Sequence, residues 1–177
     1  MPDKTALIRP FAKAGALAIA SSAFLLQAFR SRDFKGKQLI AGLLPEALPV
    51  SNGIYECQGM TFDVDFKDRI QRDIYLGVYE RHERAFLESY IEPGWTCVDI
   101  GANVGFYTLL LGKLVGRSGR VFAVEASPAN FGRLNRNVSL NALPSCTLTH
   151  VAMTKSNGPV SFHTSPAHNS GWGRIGE

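Results

Sequence analysis

The alternation of apolar and polar positions predicts a hairpin and then an amphipathic helix in the first half of the chain. Residues 59–66 alternate between apolar and polar side chains, a pattern typical of a half-buried strand. The residues just before it, around Cys57, then form its hairpin partner. Residues 78–91 carry apolar side chains at helical spacing, so we expect Phe86 and Tyr90 on the buried face of a helix.

Three strands and two helices alternate in the second half. Branched and aromatic residues predict strands over residues 96–100, 120–125 and 147–153. Apolar residues at helical spacing predict helices that begin near Phe106 and Pro128. This order of elements is typical of an α/β fold with a parallel sheet.

The end of the chain carries weaker signals. Residues 157–158 predict a turn and residues 160–162 a short strand. Residues 167–177 are rich in Gly and Ser, so no terminal helix is expected.

The first third of the chain differs in composition. Residues 5–30 are apolar and rich in Ala, and their uncharged part, 14–29, is slightly shorter than the ~20 residues that span a bilayer. We expect a helix that packs on the main domain or in an oligomer; a membrane-surface or anchoring helix and a targeting segment are the alternatives. Residues 33–53 are rich in turn-forming residues and predict a connector. We therefore divide the chain into a helical extension with its linker, 1–53, and a main domain, 54–177.

Charge and cysteine content narrow the possible partners. Residues 1–40 contain seven Lys or Arg and two Asp or Glu, whereas residues 41–177 contain twelve and thirteen. The basic character belongs to the extension, so we expect no nucleic-acid partner for the main domain. Three widely spaced cysteines favour a reducing, cytoplasmic location. Asp63 and Asp65 share the solvated face of their strand, so no metal site is expected.

The stretch Asp99–Thr108, DIGANVGFYT, has the features of a ligand-binding turn. A strand, a turn with two glycines and a helix start together predict a nucleotide cradle with free backbone N–H groups. The next strand ends in Glu125, whose carboxylate is placed to accept hydrogen bonds from both hydroxyls of a ribose. We therefore expect a ligand that carries adenosine.

Two ligands of that class remain open. The dinucleotide fingerprint G-x-G-x-x-G requires a glycine where this chain has Asn103. The carboxylate of Asp99 repels a pyrophosphate, but it suits the sulfonium and amino groups of S-adenosylmethionine. This chemistry favours S-adenosylmethionine as the cofactor, with an NAD-dependent oxidoreductase as the alternative.

Several motifs resemble one family. The segments EPG at 92–94, VDIGANVGFYT at 98–108 and VEASPANF at 124–131 look like the FkbM family of S-adenosylmethionine-dependent methyltransferases. The similarity covers roughly residues 55–175. It implies a Rossmann-like class I methyltransferase sheet and O-methylation of a sugar or secondary-metabolite hydroxyl, with a small molecule or glycan as the acceptor.

The resemblance also implies which residues surround the cofactor. Those beside its methionine moiety are Asp99, Gly101, Asn103 and Gly105. Those beside its ribose and adenine are Glu125, Ala126, Ser127 and Ala152. No residue is identified as the catalytic base.

One part of the family pattern does not occur in these 177 residues, a later strand of the form K-x-D-x-E-G. We therefore expect a fragment, a remnant or a short homologue completed by a partner chain, with a sheet that is incomplete toward its C-terminus. Val98 and Ile100 would then lie on an exposed apolar edge, and methyl transfer by this chain alone would be weak. The second hypothesis is a non-catalytic module that binds a partner or a membrane surface through residues 5–30.

Overall fold

The computed structural model describes most of the chain as a layered α/β arrangement. The described residues are 5–44, 48, 50–155, 158–163 and 168–176. Their α-helices are α1 (Thr5–Ala20), α2 (Ala23–Ser31), α3 (Lys37–Leu43), α4 (Arg69–Leu76), α5 (Arg81–Tyr90), α6 (Phe106–Val115) and α7 (Pro128–Leu140). Their strands are β1 (Gly53–Cys57), β2 (Met60–Val64), β3 (Thr96–Ile100), β4 (Arg120–Glu125), β5 (Cys146–His150), β6 (Ser161–His163) and β7 (Arg174–Gly176), and a 3-10 helix covers Ser170–Trp172.

The central sheet has three parallel strands in the order β3-β4-β5. Helices α6 and α7 connect them and cover the same face, on which Val121 and Ala123 are fully buried. The α/β class and the Rossmann-like arrangement predicted from the sequence are confirmed, and the sheet is partial within the described residues. The predicted strand over 147–153 is three residues too long, because the chain leaves the sheet after His150.

Helix α7 joins the β1–β2 hairpin to the central sheet. The side chain of Asn141 accepts a hydrogen bond from the Thr61 N–H (2.9 Å) and donates one to the Thr61 carbonyl (2.7 Å). Asn137, which is fully buried, accepts from the Asp63 N–H (2.9 Å) and donates to the Val104 carbonyl (2.8 Å). The two amides satisfy backbone groups along the outer edge of β2, so the hairpin is held in a fixed position against α7.

The hairpin carries its apolar face into the core, as its alternation predicts. Met60, Phe62 and Val64 are buried, and Phe62 stacks on Phe106 at a centroid distance of 6.4 Å. The polar face is used for ion pairs: Asp63 pairs with Arg136 (2.6 Å), and Asp65 pairs with an arginine of the same helix, Arg133 (2.9 Å).

The N-terminal helices pack against the hairpin side of the molecule. Leu26 and Phe29 of α2 belong to the same apolar cluster as residues of α4 and the hairpin. Within the described residues, no single helix is long and apolar enough to cross a membrane; α1 and α2 meet the length and composition only as a pair bent by 117°. The bend follows Ser21, where the Ser22 side chain accepts from the Leu25 N–H (3.3 Å) and caps a new helix.

Several expectations about the helices were wrong. The connector over 33–53 contains α3, and α4 was not predicted. The N-cap of α4 is Asp68, whose side chain accepts from the Gln71 N–H (2.9 Å), and its C-cap is Gly77. Helix α5 exists, but Phe86 and Tyr90 are exposed and stack on each other instead of entering the core (5.3 Å). The apolar residues of α5 do have helical spacing, but none of them is fully buried. Among the described residues, no other element covers the face of α5 that carries Phe86 and Tyr90. The division at residue 53 stays a prediction, and residue 157 of the predicted turn lies outside the described residues.

The exposed edge predicted for β3 is confirmed. Val98 and Ile100 are 60% and 62% exposed, and β3 pairs only with β4 in the part of the chain that the structure describes. Parallel sheets usually have both faces covered, and here the face opposite α6 and α7 also exposes Phe122. An open edge with apolar side chains is a template for strand pairing between chains.

Replacing Val98 with Lys should therefore reduce self-association of this protein. A charge on the edge strand opposes pairing with a second β3, so light scattering at high protein concentration should fall relative to the parent. Val160→Lys, which adds the same charge at an exposed position outside the sheet edge, should leave the scattering unchanged. Equal scattering by Val98→Lys and the parent would show that the edge does not drive association.

Candidate functional site

A cavity of about 300 Å³ lies at the carboxyl ends of the three parallel strands. This is the edge at which open α/β sheets bind their ligands. Five of the eight residues predicted from the sequence line it, namely Gly101, Asn103, Glu125, Ala126 and Ala152. The other three, Asp99, Gly105 and Ser127, lie next to it in the chain but support the loops instead.

Glu125 connects the two loops that form the floor of this cavity. Its side chain is only 6% exposed. One carboxylate oxygen accepts from the Asn103 N–H (2.8 Å) and the other from the Ser127 N–H (2.7 Å). The strand-end acid therefore fixes the β3–α6 loop and the β4–α7 loop relative to each other, a role that the sequence did not reveal.

The loop after β3 is built so that its backbone can face the cavity. Gly101 has φ +81°, and a Cβ at this position would meet no other atom within 4 Å. Asn103 also has a positive φ, 51°, and its side-chain Oδ1 is buried without a hydrogen-bond partner among the described residues. The residues present thus leave open space and a hydrogen-bond acceptor beside the cavity.

The prediction of free N–H groups in this turn was wrong for its first three residues. The N–H groups of Gly101 and Ala102 both donate to the Val124 carbonyl (2.8 and 3.0 Å), and the N–H of Asn103 donates to Glu125. A pyrophosphate-binding loop uses such groups as donors. Here they hold the loop to β4.

The three predicted residues outside the cavity have structural contacts. The carboxylate of Asp99 accepts from the Thr108 hydroxyl (2.6 Å) near the start of α6. Gly105 has φ +95°, a conformation that favours glycine, and a Cβ there would also lie 2.8 Å from Cδ1 of Leu134 on α7. The Ser127 hydroxyl accepts from the Asn130 N–H (3.4 Å) and caps α7.

The roof of the cavity comes from the last described segment, which sequence reasoning missed. Ser170, Gly171, Gly173 and Arg174 line the cavity from above. Hydrogen bonds hold the segment in place: the Asn130 side chain donates to the Ser170 carbonyl (3.0 Å), and the Ser170 N–H donates to the Asp68 carboxylate (2.5 Å). The composition of residues 167–177 contains no periodic signal that would indicate such a roof.

An aromatic cluster flanks the start of α6 outside the cavity. Tyr107 donates its hydroxyl to Glu80, and Tyr79 packs edge-on against Phe106 at a centroid distance of 5.0 Å. Glu80 has φ +37°, which is uncommon for a residue with a side chain. Burial, together with Glu80, raises the pKa of both tyrosines above the ordinary value, so they stay protonated at neutral pH.

Replacing Glu125 with Ala should destabilise the fold by about 2–6 kcal/mol, because two buried N–H groups each lose their acceptor. Denaturant unfolding measures this change. Glu125→Gln keeps one acceptor oxygen but places an amide NH₂ against the other N–H, so its loss should be intermediate. An unfolding free energy unchanged in Glu125→Ala would contradict the loop-connecting role.

Asp99 gives a stability change that depends on pH. Burial raises the pKa of this carboxyl, against the hydrogen bonds from Thr108, so the ionised form costs the folded state free energy. The cost is absent below the unfolded pKa of about 3.9 and complete above the raised folded pKa. Asp99→Asn should therefore be more stable than the parent at pH 7, and the difference should shrink as the pH falls toward about 4.

The same substitution at Asp63, whose carboxylate pairs with Arg136, should not stabilise the protein at pH 7. A gain in Asp99→Asn that is equal at all pH values would contradict the assignment to the buried charge.

Comparison with known proteins identifies the family of this domain. The model of the TRM5/TYW2 methyltransferase domain matches residues 53–155. Among curated proteins, the chain is 29% identical over 86 residues to protein-L-isoaspartate O-methyltransferase from Triticum aestivum; the match covers 49% of this chain and 34% of that protein. The chain thus spans about a third of the length of this relative.

Two solved structures of methyltransferases share part of this fold. TYW2 from M. jannaschii in complex with AdoMet is 20% identical with a TM-score of 0.46, over 59% of this chain and 46% of that one. A SAM-dependent methyltransferase from Aquifex aeolicus is 26% identical with a TM-score of 0.38, over 44% and 42%. The family model covers more than half of the sequence, which confirms the prediction of a methyltransferase domain but not the finer assignment to FkbM. The chain belongs to the TRM5/TYW2 methyltransferase domain family.

Proposed function

We propose that this chain carries the cofactor-binding part of an S-adenosylmethionine-dependent methyltransferase, with the cofactor in the cavity above β3, β4 and β5. The observation that carries the proposal is the position of Glu125, a buried strand-end carboxylate that lines this cavity. Family membership supports the same conclusion.

The residues present fit a nucleoside ligand. The carboxylate of Glu125 has about four acceptor positions, and backbone N–H groups occupy two of them. The remaining positions can accept from two ribose hydroxyls without breaking the loop contacts. Ala126 and Ala152 leave space at the sides of the cavity for a flat base.

The structure supports S-adenosylmethionine over a dinucleotide. The N–H groups of Gly101, Ala102 and Asn103 donate to groups within the protein, so these donors are not available to a pyrophosphate. The unpartnered Oδ1 of Asn103 is an acceptor, and an acceptor suits the amino group of the methionine moiety. The volume of about 300 Å³ lies at the lower end of the range for small-ligand sites, so the ligand fills the cavity closely.

When bound, S-adenosylmethionine supplies an electrophilic methyl group on its sulfonium sulfur. The contribution of the chain is to bind and orient the cofactor: Glu125 sets the ribose position, Gly101 permits close approach of the ligand to the backbone, and the roof covers one side of the cavity. Asp99 contributes through α6, whose first turn it holds by its bond to Thr108.

For the acceptor, we propose a hydroxyl oxygen of a small molecule or glycan, with a sugar or a secondary metabolite as the class implied by the FkbM resemblance. The main domain supports an acceptor other than nucleic acid, because residues 41–177 carry twelve Lys or Arg against thirteen Asp or Glu. A cytoplasmic location is part of the same proposal, on the basis of the widely spaced cysteines.

Filling the cavity should abolish cofactor binding. Ala152→Trp places an indole inside the cavity, and we expect S-adenosylhomocysteine to bind at least tenfold more weakly by calorimetry. Ala129→Trp, on the exposed face of α7, adds the same side chain outside the cavity and should bind like the parent.

Titration with NAD and S-adenosylmethionine tests the alternative ligand class. The proposal requires binding of the methyl donor, and stronger binding of NAD would replace it with an oxidoreductase function. Equal affinities of the two Trp variants for S-adenosylhomocysteine would place the cofactor elsewhere.

A further inference from the structure

A second and larger cavity lies beside the β1–β2 turn, between α2 and α5. Its volume is about 620 Å³, and its walls come from α2, the loop before α3, the β1–β2 turn and α5. The two cavities share no lining residue among those that the structure describes. The cationic side chains that line the larger one are Arg30, Arg32, Lys37, Arg81 and Arg84, with His82 beside them.

The charge of this cavity is positive overall. Five Lys or Arg side chains face three carboxylates, those of Asp33, Glu56 and Glu88. Arg81 pairs with Asp33, and Arg84 pairs with Glu88 at 2.7 Å. No carboxylate in this cavity forms an ion pair with Arg30, Arg32 or Lys37 among the described residues, although the carboxylate of Asp33 lies close enough to Lys37 to act on its charge.

Arg30 is held rigidly by neutral groups. Its guanidinium donates to the carbonyls of Tyr75 (2.8 Å) and Glu56 (2.6 Å) and to the side chain of Gln27 (3.0 Å). It also lies 3.7 Å from the centroid of the Tyr75 ring. These contacts fix the orientation of the guanidinium without neutralising its charge, which is the preorganisation that anion recognition requires.

Lys37 adds a second fixed cation. Its side chain is 3% exposed, and its ammonium donates to the Arg30 carbonyl at 3.2 Å. Burial lowers its pKa, with Arg30 and Arg81 acting in the same direction and Asp33 opposing them. An ammonium has three donors, so it can donate to an anion as well as to the Arg30 carbonyl. The negative charge of that anion would offset the cost of the buried ammonium and its repulsion by Arg30 and Arg81.

We propose that this cavity is a binding site for a phosphate-bearing ligand, with the guanidinium of Arg30 and the ammonium of Lys37 as its fixed donors and Arg32 at its rim. A rigid guanidinium beside a compact ammonium is the donor set that suits phosphate oxygens. The volume exceeds what a bare phosphate fills, so the phosphate belongs to a larger molecule.

Two sources supply this chemistry. One is a soluble phosphorylated metabolite. The other is the headgroup of an anionic phospholipid, for which the neighbouring helices are suited because Leu17 and Phe24 are exposed apolar residues on α1 and α2.

Calorimetric titration of the full chain with pyrophosphate in a phosphate-free buffer tests the site. We expect saturable binding that weakens as salt increases. Arg32→Glu is the main variant, because Arg32 is exposed and a carboxylate at the rim opposes an anion without removing an internal contact. It should bind pyrophosphate at least tenfold more weakly than the parent.

Lys67→Glu is the matched control, since it makes the same change of charge at an exposed position outside the cavity. It should bind like the parent. Absence of binding by the parent, or equal losses in Arg32→Glu and Lys67→Glu, would overturn the proposal.

Flotation with vesicles separates the two sources. Binding to vesicles that contain phosphatidic acid, but not to pure phosphatidylcholine vesicles, with loss in Arg32→Glu, assigns the lipid source. Binding of pyrophosphate without flotation assigns a soluble ligand. Flotation that persists in Arg32→Glu, without a loss of pyrophosphate binding in that variant, would overturn the site. Affinity for S-adenosylhomocysteine should be the same in both charge variants, so this test is independent of the cofactor cavity.

Discussion

The fold around the proposed cofactor site depends on one carboxylate at the end of a strand. Glu125 is buried and accepts two backbone N–H groups from loops that belong to different strand–helix connections. Burying a carboxylate is costly unless it accepts hydrogen bonds, and these two N–H groups supply them. The contacts that satisfy Glu125 therefore also fix the cavity floor, so loop geometry and the proposed ligand recognition depend on the same side chain.

A second constraint is the use of side-chain amides as backbone partners. Asn137 and Asn141 satisfy groups of β2 that have no strand beside them. The hairpin thereby packs on α7 and closes one side of the core. At β3, the described part of the chain provides no comparable cover, and Val98 and Ile100 face solvent. The backbone groups at the outer edge of β2 thus have hydrogen-bond partners, whereas the outer edge of β3 is open to solvent. We therefore expect association between chains at β3.

The two cavities differ in chemistry. The cavity at the strand ends is lined mostly by glycines, apolar residues and neutral polar residues, with one buried carboxylate, that of Glu125, and one arginine, Arg174, and this lining suits a nucleoside. The cavity beside α2 and α5 has an excess of cations, which suits a phosphate. Three of the seven basic residues in 1–40, namely Arg30, Arg32 and Lys37, thus line the proposed phosphate site.

The sequence by itself indicated the alternation of parallel strands with helices, the hairpin, the turn after β3 and five of the residues that line the cavity at the strand ends. These depend on local periodicity and on motifs of contiguous residues, so they are readable along the chain. The tertiary structure alone decided which groups the loop N–H donors bind, that Gly105 meets Leu134, that Phe86 faces solvent and that residues 170–174 form a roof. Each of these depends on contacts between residues distant in the chain. The spacing of apolar and polar residues indicates which side chains can be buried, but not which layer of the molecule is there to bury them.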